Sequence, residues 1–199
     1  MNFKDDIILE NEKVLLRPLM ENDIEHLKHF VIQKPEIWTY SLMQIKSVDD
    51  LQKYISLAIT AREQETAYPF IVYDKIKKSY AGSTRFYDIQ LAYKTLQLGY
   101  TWYGSEFQGT AVNKNCKYLL LQHAFENLDM VRVEFRADNK NERSKAAMKS
   151  IGCVEEGVLR SNVPNAEGGR RDSIVLSILQ DEWHHQVKEQ LLQKINVTS

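Results

Sequence analysis

Leu98-Gly99-Tyr100-Thr101-Trp102-Tyr103-Gly104-Ser105-Glu106-Phe107-Gln108-Gly109-Thr110-Ala111-Val112-Asn113 is the stretch whose reading decides the fold. Its first half is rich in aromatic and β-branched residues and reads as a strand. Small and polar residues follow. Beyond Gly109, Cys116, Leu120, Ala124 and Leu128 fall four apart with Leu121 and Phe125 beside them, the spacing of an amphipathic helix. A strand therefore passes through a tight turn straight into a helix. The first amides of such a helix lack internal partners, carry partial positive charge and point outward, so they can cradle a pyrophosphate. Gly109 lets the backbone come close to a ligand, Thr110 offers a hydroxyl, and Asn113, Lys114 and Lys117 lie on or near the first turn. Taken alone, a strand–turn–helix with one glycine is more often an ordinary connection, and the three spaced glycines of a dinucleotide fingerprint are absent.

Upstream of this stretch, residues 68–74 and 80–89 join 95–103 as three β-rich segments, which read as an antiparallel meander. Earlier still, 14–19 is a first strand. Asn22 or Asp23 is placed to cap a helix through Leu27 and Phe30, which Lys34-Pro35 ends. Ile37-Trp38-Thr39-Tyr40 is an aromatic loop. Ser47-Val48-Asp49-Asp50 opens a second helix carrying Leu51, Ile55, Ala58 and Ile59 on one face. Downstream, 130–137 is a strand, and 141–151 a helix with Asn141 as its cap and Gly152 as its left-handed stop. Residues 154–159 and 173–179 are closing strands joined through a turn region at 165–169, and Leu191-Leu192 belong to a short final helix. A meander feeding a β–α–β unit is an α+β architecture with a mixed sheet, not the alternation of a doubly wound fold.

Composition narrows the function classes. A chain of 199 residues suits one domain, with its core expected over about 14–183. A net charge of −1, with no basic stripe, argues against nucleic acid as a partner. No apolar run is long enough to cross a membrane and the N-terminus lacks the pattern of a signal peptide, so a cytoplasmic protein is expected. Cys116 and Cys153 have no metal-ligand spacing and are expected as buried free thiols, and no metal site is expected.

Several linked segments then bear on identity. Gln108-Gly109-Thr110-Ala111-Val112-Asn113 resembles the Q/R-x-x-G-x-G/A pyrophosphate loop of the GNAT acetyltransferases, in the form found in relatives of the RimJ/RimL ribosomal-protein N-acetyltransferases. Asn141-Glu142-Arg143-Ser144, followed by Ala147 and Ile151-Gly152, is similar to that group's N-E-R-S…A…L-G element. Gly82-Ser83-Thr84-Arg85-Phe86-Tyr87 resembles its third strand, and 155–160 with 171–175 its closing strands. The likeness runs from about Val14 to Trp183, in order.

The resemblance implies the three-layer α/β/α GNAT fold, with a mostly antiparallel sheet parted between two central strands, and acetyl-CoA as cosubstrate. It implies that Tyr100, Thr101, Trp102 and Tyr103 form the strand against which the pantetheine arm lies. Gln108, Gly109, Thr110, Ala111, Val112, Asn113 and Lys114 then hold the pyrophosphate, and Asn141 and Ser144 sit near the pantetheine and sulfur. The implied reaction is attack of a neutral amine on the thioester in a ternary complex. Ser144 is the first choice for the acid that protonates the thiolate and Tyr103 the second. Glu134 is the candidate base, with Glu106 and Asp88 as competitors; no histidine is assigned a role. Trp38, Tyr40, Arg85 and Tyr87 are the candidates for the acceptor pocket, Arg85 as a carboxylate binder, against the plainer reading of Trp38 and Tyr40 as core packing. A protein N-terminus, a peptide or an amino-acid-like small molecule is the expected acceptor, and pairing of two copies through their sheets is a further expectation. Ala111 departs from the family pattern, standing where a second glycine is usual. It would be strained if that position needs positive φ and harmless if it is already helical. The rival reading is a silent domain that keeps the fold and binds coenzyme A or a protein partner.

Overall fold

The computed structural model describes residues 1–33, 35–165 and 168–197. Eight strands form one sheet in the order β1-β2-β3-β4-β5-β6-β8-β7. The strands are β1 (Leu9–Glu10), β2 (Val14–Pro18), β3 (Ala67–Asp74), β4 (Ser79–Gln90), β5 (Thr95–Tyr103), β6 (Arg132–Asp138), β7 (Val154–Pro164) and β8 (Arg170–Leu179). All neighbours are antiparallel except β5 and β6. That pair is parallel because the chain leaves β5, crosses over through α3 (Ala111–Gln122) and returns in the same direction. The helices α1 (Ile24–Gln33) and α2 (Val48–Glu63) cover one face. On the other lie α3, α4 (Glu142–Ser150) and the C-terminal helix, in which a short α5 (Gln180–Glu182) continues through a wide turn into α6 (Lys188–Val197). The expected fold is the one found.

Local chemistry explains most boundaries. Ser47 and Asp50 form a reciprocal capping box at the start of α2. Asn141 caps α4 by accepting from the Ser144 amide at 3.0 Å, and Gly152, at φ +100, ends it. The start of α1 differs from expectation. A tight turn at Glu21–Asp23 precedes the helix, and Asp23 is 1% exposed, held by two bonds from Arg17 at 2.9 and 2.6 Å and by the Met20 amide at 2.8 Å. Such burial of a carboxylate is tolerated because a fork-shaped cation satisfies it.

Three further differences concern extent. The helix expected to run to Leu128 is regular only to Gln122, and a wider turn spans His123–Asn127. The closing hairpin is longer than expected because β7 and β8 continue pairing past a bulge between Leu159 and Val163. The core also extends beyond 14–183: Phe3, Val187, Leu191 and Ile195 are all buried. Lys34, placed above at the end of α1, lies outside the described residues, as do Ala166 and Glu167 of the expected turn; Pro35–Trp38 forms a 3-10 turn. Both cysteines are buried and unpaired, and burial pushes each thiol up to about 12. Among the described residues no helix is long and apolar enough to cross a membrane.

Candidate functional site

The site begins where β5 and β6 part. Their ladder comprises Thr95 with Arg132, Leu96 with Val133 and Gln97 with Glu134, and then stops, although β5 runs on to Tyr103 and β6 to Asp138. Among the described residues, the edge of β5 past Gln97 on the β6 side therefore has no paired strand. A bulge deepens the divergence. On β4, Ser83 and Arg85 pair with Trp102 and Gly99, so three steps on β5 answer two on β4. Tyr100 is the extra residue and sits at φ +48. A tyrosine in the left-handed region is uncommon, and such backbone persists only where the surroundings enforce it. Here the Tyr54 hydroxyl, from α2, donates to the Tyr100 carbonyl at 3.3 Å. Tyr54→Phe is expected to cost about 1 kcal/mol of stability, the net worth of one such bond, read as a lowered midpoint in urea unfolding.

The end of β5 leads into the loop that the sequence singled out. Gly109 has φ +73, and a Cβ there would meet nothing within 4 Å, so the backbone is open to approach from outside. Thr110 is the N-cap of α3: its hydroxyl donates to the Phe107 carbonyl at 2.7 Å and accepts from the Val112 amide at 3.3 Å. That hydroxyl is thus occupied within the loop. The amides of Gly109, Thr110 and Ala111 lie ahead of the first intrahelical bond and carry the positive end of the helix dipole. Ala111 is the first residue of α3 and has no positive φ, so the helical alternative weighed for it is the one found. The Gln108 side chain donates to the Tyr103 carbonyl at 3.0 Å and accepts from Arg143 on α4. It ties the loop to the neighbouring helix, and the Gln108 backbone amide donates to the Ser105 carbonyl at 3.2 Å. Asn113 and Lys114 are half-buried on the first turn.

Lys117 is not a surface contact for this loop. It faces inward, 6% exposed, with its ammonium over the Phe135 ring at 5.7 Å and donating to the Thr101 hydroxyl at 2.8 Å. Thr101 in turn meets the Thr84 hydroxyl at 2.7 Å. Burial lowers the Lys117 pKa to about 8.

The two hydroxyl candidates differ in access. Tyr103 is 7% exposed, its buried hydroxyl lies beside the Cys116 thiol, and burial holds its pKa well above the usual phenol value. Ser144 is half-buried in the first turn of α4 and forms no side-chain bond among the described residues, so its hydroxyl is the one free to meet a ligand. Glu134 has both carboxylate oxygens engaged, by Arg132 at 2.9 Å and Arg136 at 2.6 Å. Asp88 accepts from Gln97 at 2.7 Å and Gln90 at 3.0 Å, and Glu106 is exposed beside the loop.

The opposite face of the parted sheet holds the remaining residues. Trp38 is 2% exposed and packs at 4.6 Å from the Trp102 ring and 6.2 Å from that of Tyr54, so the packing alternative describes it. Tyr40 is exposed, and its carbonyl accepts from Arg171 at 3.4 Å. Tyr87 crosses Tyr100 edge-on at 4.9 Å, with its hydroxyl pKa raised by burial. Arg85 lies against the rings of Tyr54 at 4.8 Å and Tyr100 at 4.2 Å. Arg85 and Tyr87 thus converge on the bulge, with Tyr54 and Arg171 as neighbours the sequence did not single out. Among the described residues no group of acidic, histidine or cysteine side chains could hold a metal ion.

Comparison with known proteins agrees with this geometry. The model of the acetyltransferase (GNAT) domain matches residues 13–154. A Bacillus subtilis (strain 168) protein bearing the provisional name ribosomal N-acetyltransferase YdaF is 26% identical over 178 residues, covering 87% of this chain and 94% of that one. The crystal structure of a provisionally assigned acetyltransferase from T. thermophilus superposes with a TM-score of 0.85 at 30% identity, over 94% of this chain and 96% of that one. Mycobacterium smegmatis RimJ, solved with CoA-disulfide, shares the fold with a TM-score of 0.79 at 18% identity, over 95% of this chain and 93% of that one. The family match spans the sheet from before β2 to the start of β7, well over half the sequence, and the chain belongs to the GNAT family of acetyl-CoA-dependent N-acetyltransferases.

Proposed function

We propose that this protein transfers the acetyl group of acetyl-CoA to the α-amine of a protein or peptide N-terminus, by direct attack within a ternary complex. The parting of β5 and β6 beside the open amides of residues 109–111 is the observation that carries the reading. The loop fits a pyrophosphate: the helix dipole favours the charge, and the positive-φ glycine presents backbone without a side chain. The unpaired edge of β5 past Gln97 fits an amide-bearing arm, which would add to it as an extra strand. The name of the B. subtilis relative supports a protein acceptor.

The thioester supplies an activated acyl group, and the chain's own groups prepare the rest. In this reading an amide of the β5 bulge donates to the carbonyl oxygen as negative charge develops there. The amine must be neutral to attack. An α-amine, with a pKa of about 7.7–8.0, is easier to deprotonate at neutral pH than a lysine by about 3 kcal/mol. That difference removes the need for a strong carboxylate base, and suits a site where Glu134 is held between two arginines. As the nitrogen–carbon bond forms and the carbon–sulfur bond breaks, the nitrogen gives up one proton to water, Ser144 gives its hydroxyl proton to the departing thiolate, and Ser144 regains a proton from that water.

Ser144→Ala is expected to lower kcat about tenfold or more, with acetyl-CoA affinity retained. Thiol release in the presence of an amine acceptor reads the first quantity and calorimetric titration the second. An unchanged kcat would remove Ser144 from the acid role.

A further inference from the structure

Arg85 is the least explained charge in the molecule. It is 7% exposed, yet it forms no ion pair and no hydrogen bond with any described residue, and its Nε is buried without a partner. Other inward-facing arginines are treated differently. Arg17 grips the Asp23 carboxylate, and Arg132 and Arg136 share Glu134. Burying a guanidinium without a counter-charge is costly. The rings of Tyr54 and Tyr100 offset part of that cost through their electron-rich faces. An aromatic ring does not accept the in-plane N–H bonds, so the donors of the fork remain unmatched.

Arg85 lines a cavity of about 300 Å³ together with Tyr87, Tyr100, Asp88, Glu65 and Thr66. The carboxylate of Asp88 is already engaged by Gln90 and Gln97, and Glu65 sits exposed at the rim. Arg85 pairs across the sheet with Gly99, next to the bulge at Tyr100. A group held by Arg85 is therefore close to the point where β5 and β6 part, where the proposed transfer takes place.

We infer that the acceptor carries a carboxylate within a few bonds of the amine that is acetylated, and that Arg85 receives this carboxylate. The inference rests on the transferase reading above and deepens it by naming the acceptor's chemistry. A planar fork with unmatched donors suits a carboxylate, which can take two parallel N–H bonds at once. Two sources share that chemistry: a peptide with an acidic residue at its first or second position, and a free amino acid through its own carboxylate.

Matched acceptors test it. Peptides differing only in Asp or Asn at the first or second position, and free amino acids with their amides, are compared at saturating acetyl-CoA. The acid member of at least one pair is expected to have a kcat/KM about tenfold to a hundredfold above its neutral twin, the range for a charge-assisted bond. The pair that shows the effect identifies the source. In Arg85→Met the ratio should fall to about one, and Arg85→Lys, which keeps the charge without the fork, should retain part of it. Acetyl-CoA affinity should be the same in all three proteins. Direct calorimetric titration with the same acceptors gives a second readout independent of turnover. An acid preference absent from every pair, or one that survives in both variants, overturns the inference. Acetylation of neutral acceptors without preference would do so while leaving the transferase reading intact. Arg85-dependent binding of acidic acceptors with no acetylation of any amine would instead remove the transferase reading.

Discussion

Gly109→Asp is expected to weaken acetyl-CoA binding by about a hundredfold or more while leaving the protein folded. Two effects combine at this position. The substitution puts a carboxylate where the open amides of Gly109, Thr110 and Ala111 offer positive potential to a pyrophosphate. It also puts a Cβ on backbone at φ +73, with a strain of about 1 kcal/mol. Beyond Gln108 and Thr110, no atom of the described residues lies within 4 Å of the new Cβ, so the fold has no clash to relieve and the loss should appear in binding. Gly109→Ala separates the two terms, carrying the strain without the charge, and should be the milder variant. Calorimetric titration of each protein, with circular dichroism to confirm folding, makes the comparison. A folded Gly109→Asp that binds acetyl-CoA as well as the wild type would place the coenzyme elsewhere.

Lys117→Met is expected to stabilise the protein at neutral pH by about 1–2 kcal/mol. Burial lowers the amine to about 8, against about 10.4 in an unfolded chain, a difference worth about 3 kcal/mol at most. Methionine fills a similar volume without the charge. Part of the gain is offset by the lost bond to Thr101, although Thr101 keeps its partner Thr84. The pH dependence has a definite sign. Below about pH 8 the lysine is protonated in both folded and unfolded wild type, and the cost of burying the charge is fully present. Between about 8 and 10.4 the unfolded chain holds the proton that the folded one has released, so wild-type stability rises relative to the variant. The advantage of Lys117→Met should therefore be constant below pH 8 and shrink through that window. Cys116 and Cys153 are the ionisable neighbours acting on Lys117, and the lysine acts on both thiols in turn, so the difference between the two urea curves reports the lysine together with its coupling to them.

How far the sequence can be read follows from what local patterns encode. The meander and the β–α–β unit are legible because side-chain periodicity records which face of an element is buried. The loop at Gly109 stands out only through its likeness to a family pattern, since one glycine between a strand and a helix is common, and its positive φ appears only in the structure. The bulge at Tyr100 is not: tyrosine carries no mark of positive φ, and the extra residue appears only when β4 and β5 are paired. The same holds for Arg85 between Tyr54 and Tyr100. Alternation along β4 says which face Arg85 occupies but not that α2 will bring an aromatic ring over it. Lys117 reads as a near-surface residue of the first turn, because a lysine on a helix is usually solvated, and its burial depends on the cleft that β5 and β6 open above it. The C-terminal helix is longer than its local pattern suggests because Val187, Leu191 and Ile195 join the core only by packing on elements far away in sequence.

In the proposed reaction the acetyl group passes from acetyl-CoA to an α-amine where β5 and β6 part. The most direct measurement incubates the protein with acetyl-CoA and short peptides with free or blocked N-termini, recording thiol release together with product mass. Thiol release is expected to depend on a free α-amine, the product to gain one acetyl group at its α-nitrogen, and Gly109→Asp to abolish both. Tight binding of acetyl-CoA with no acetyl transferred to any amine would contradict it, and would leave a coenzyme-binding domain without turnover.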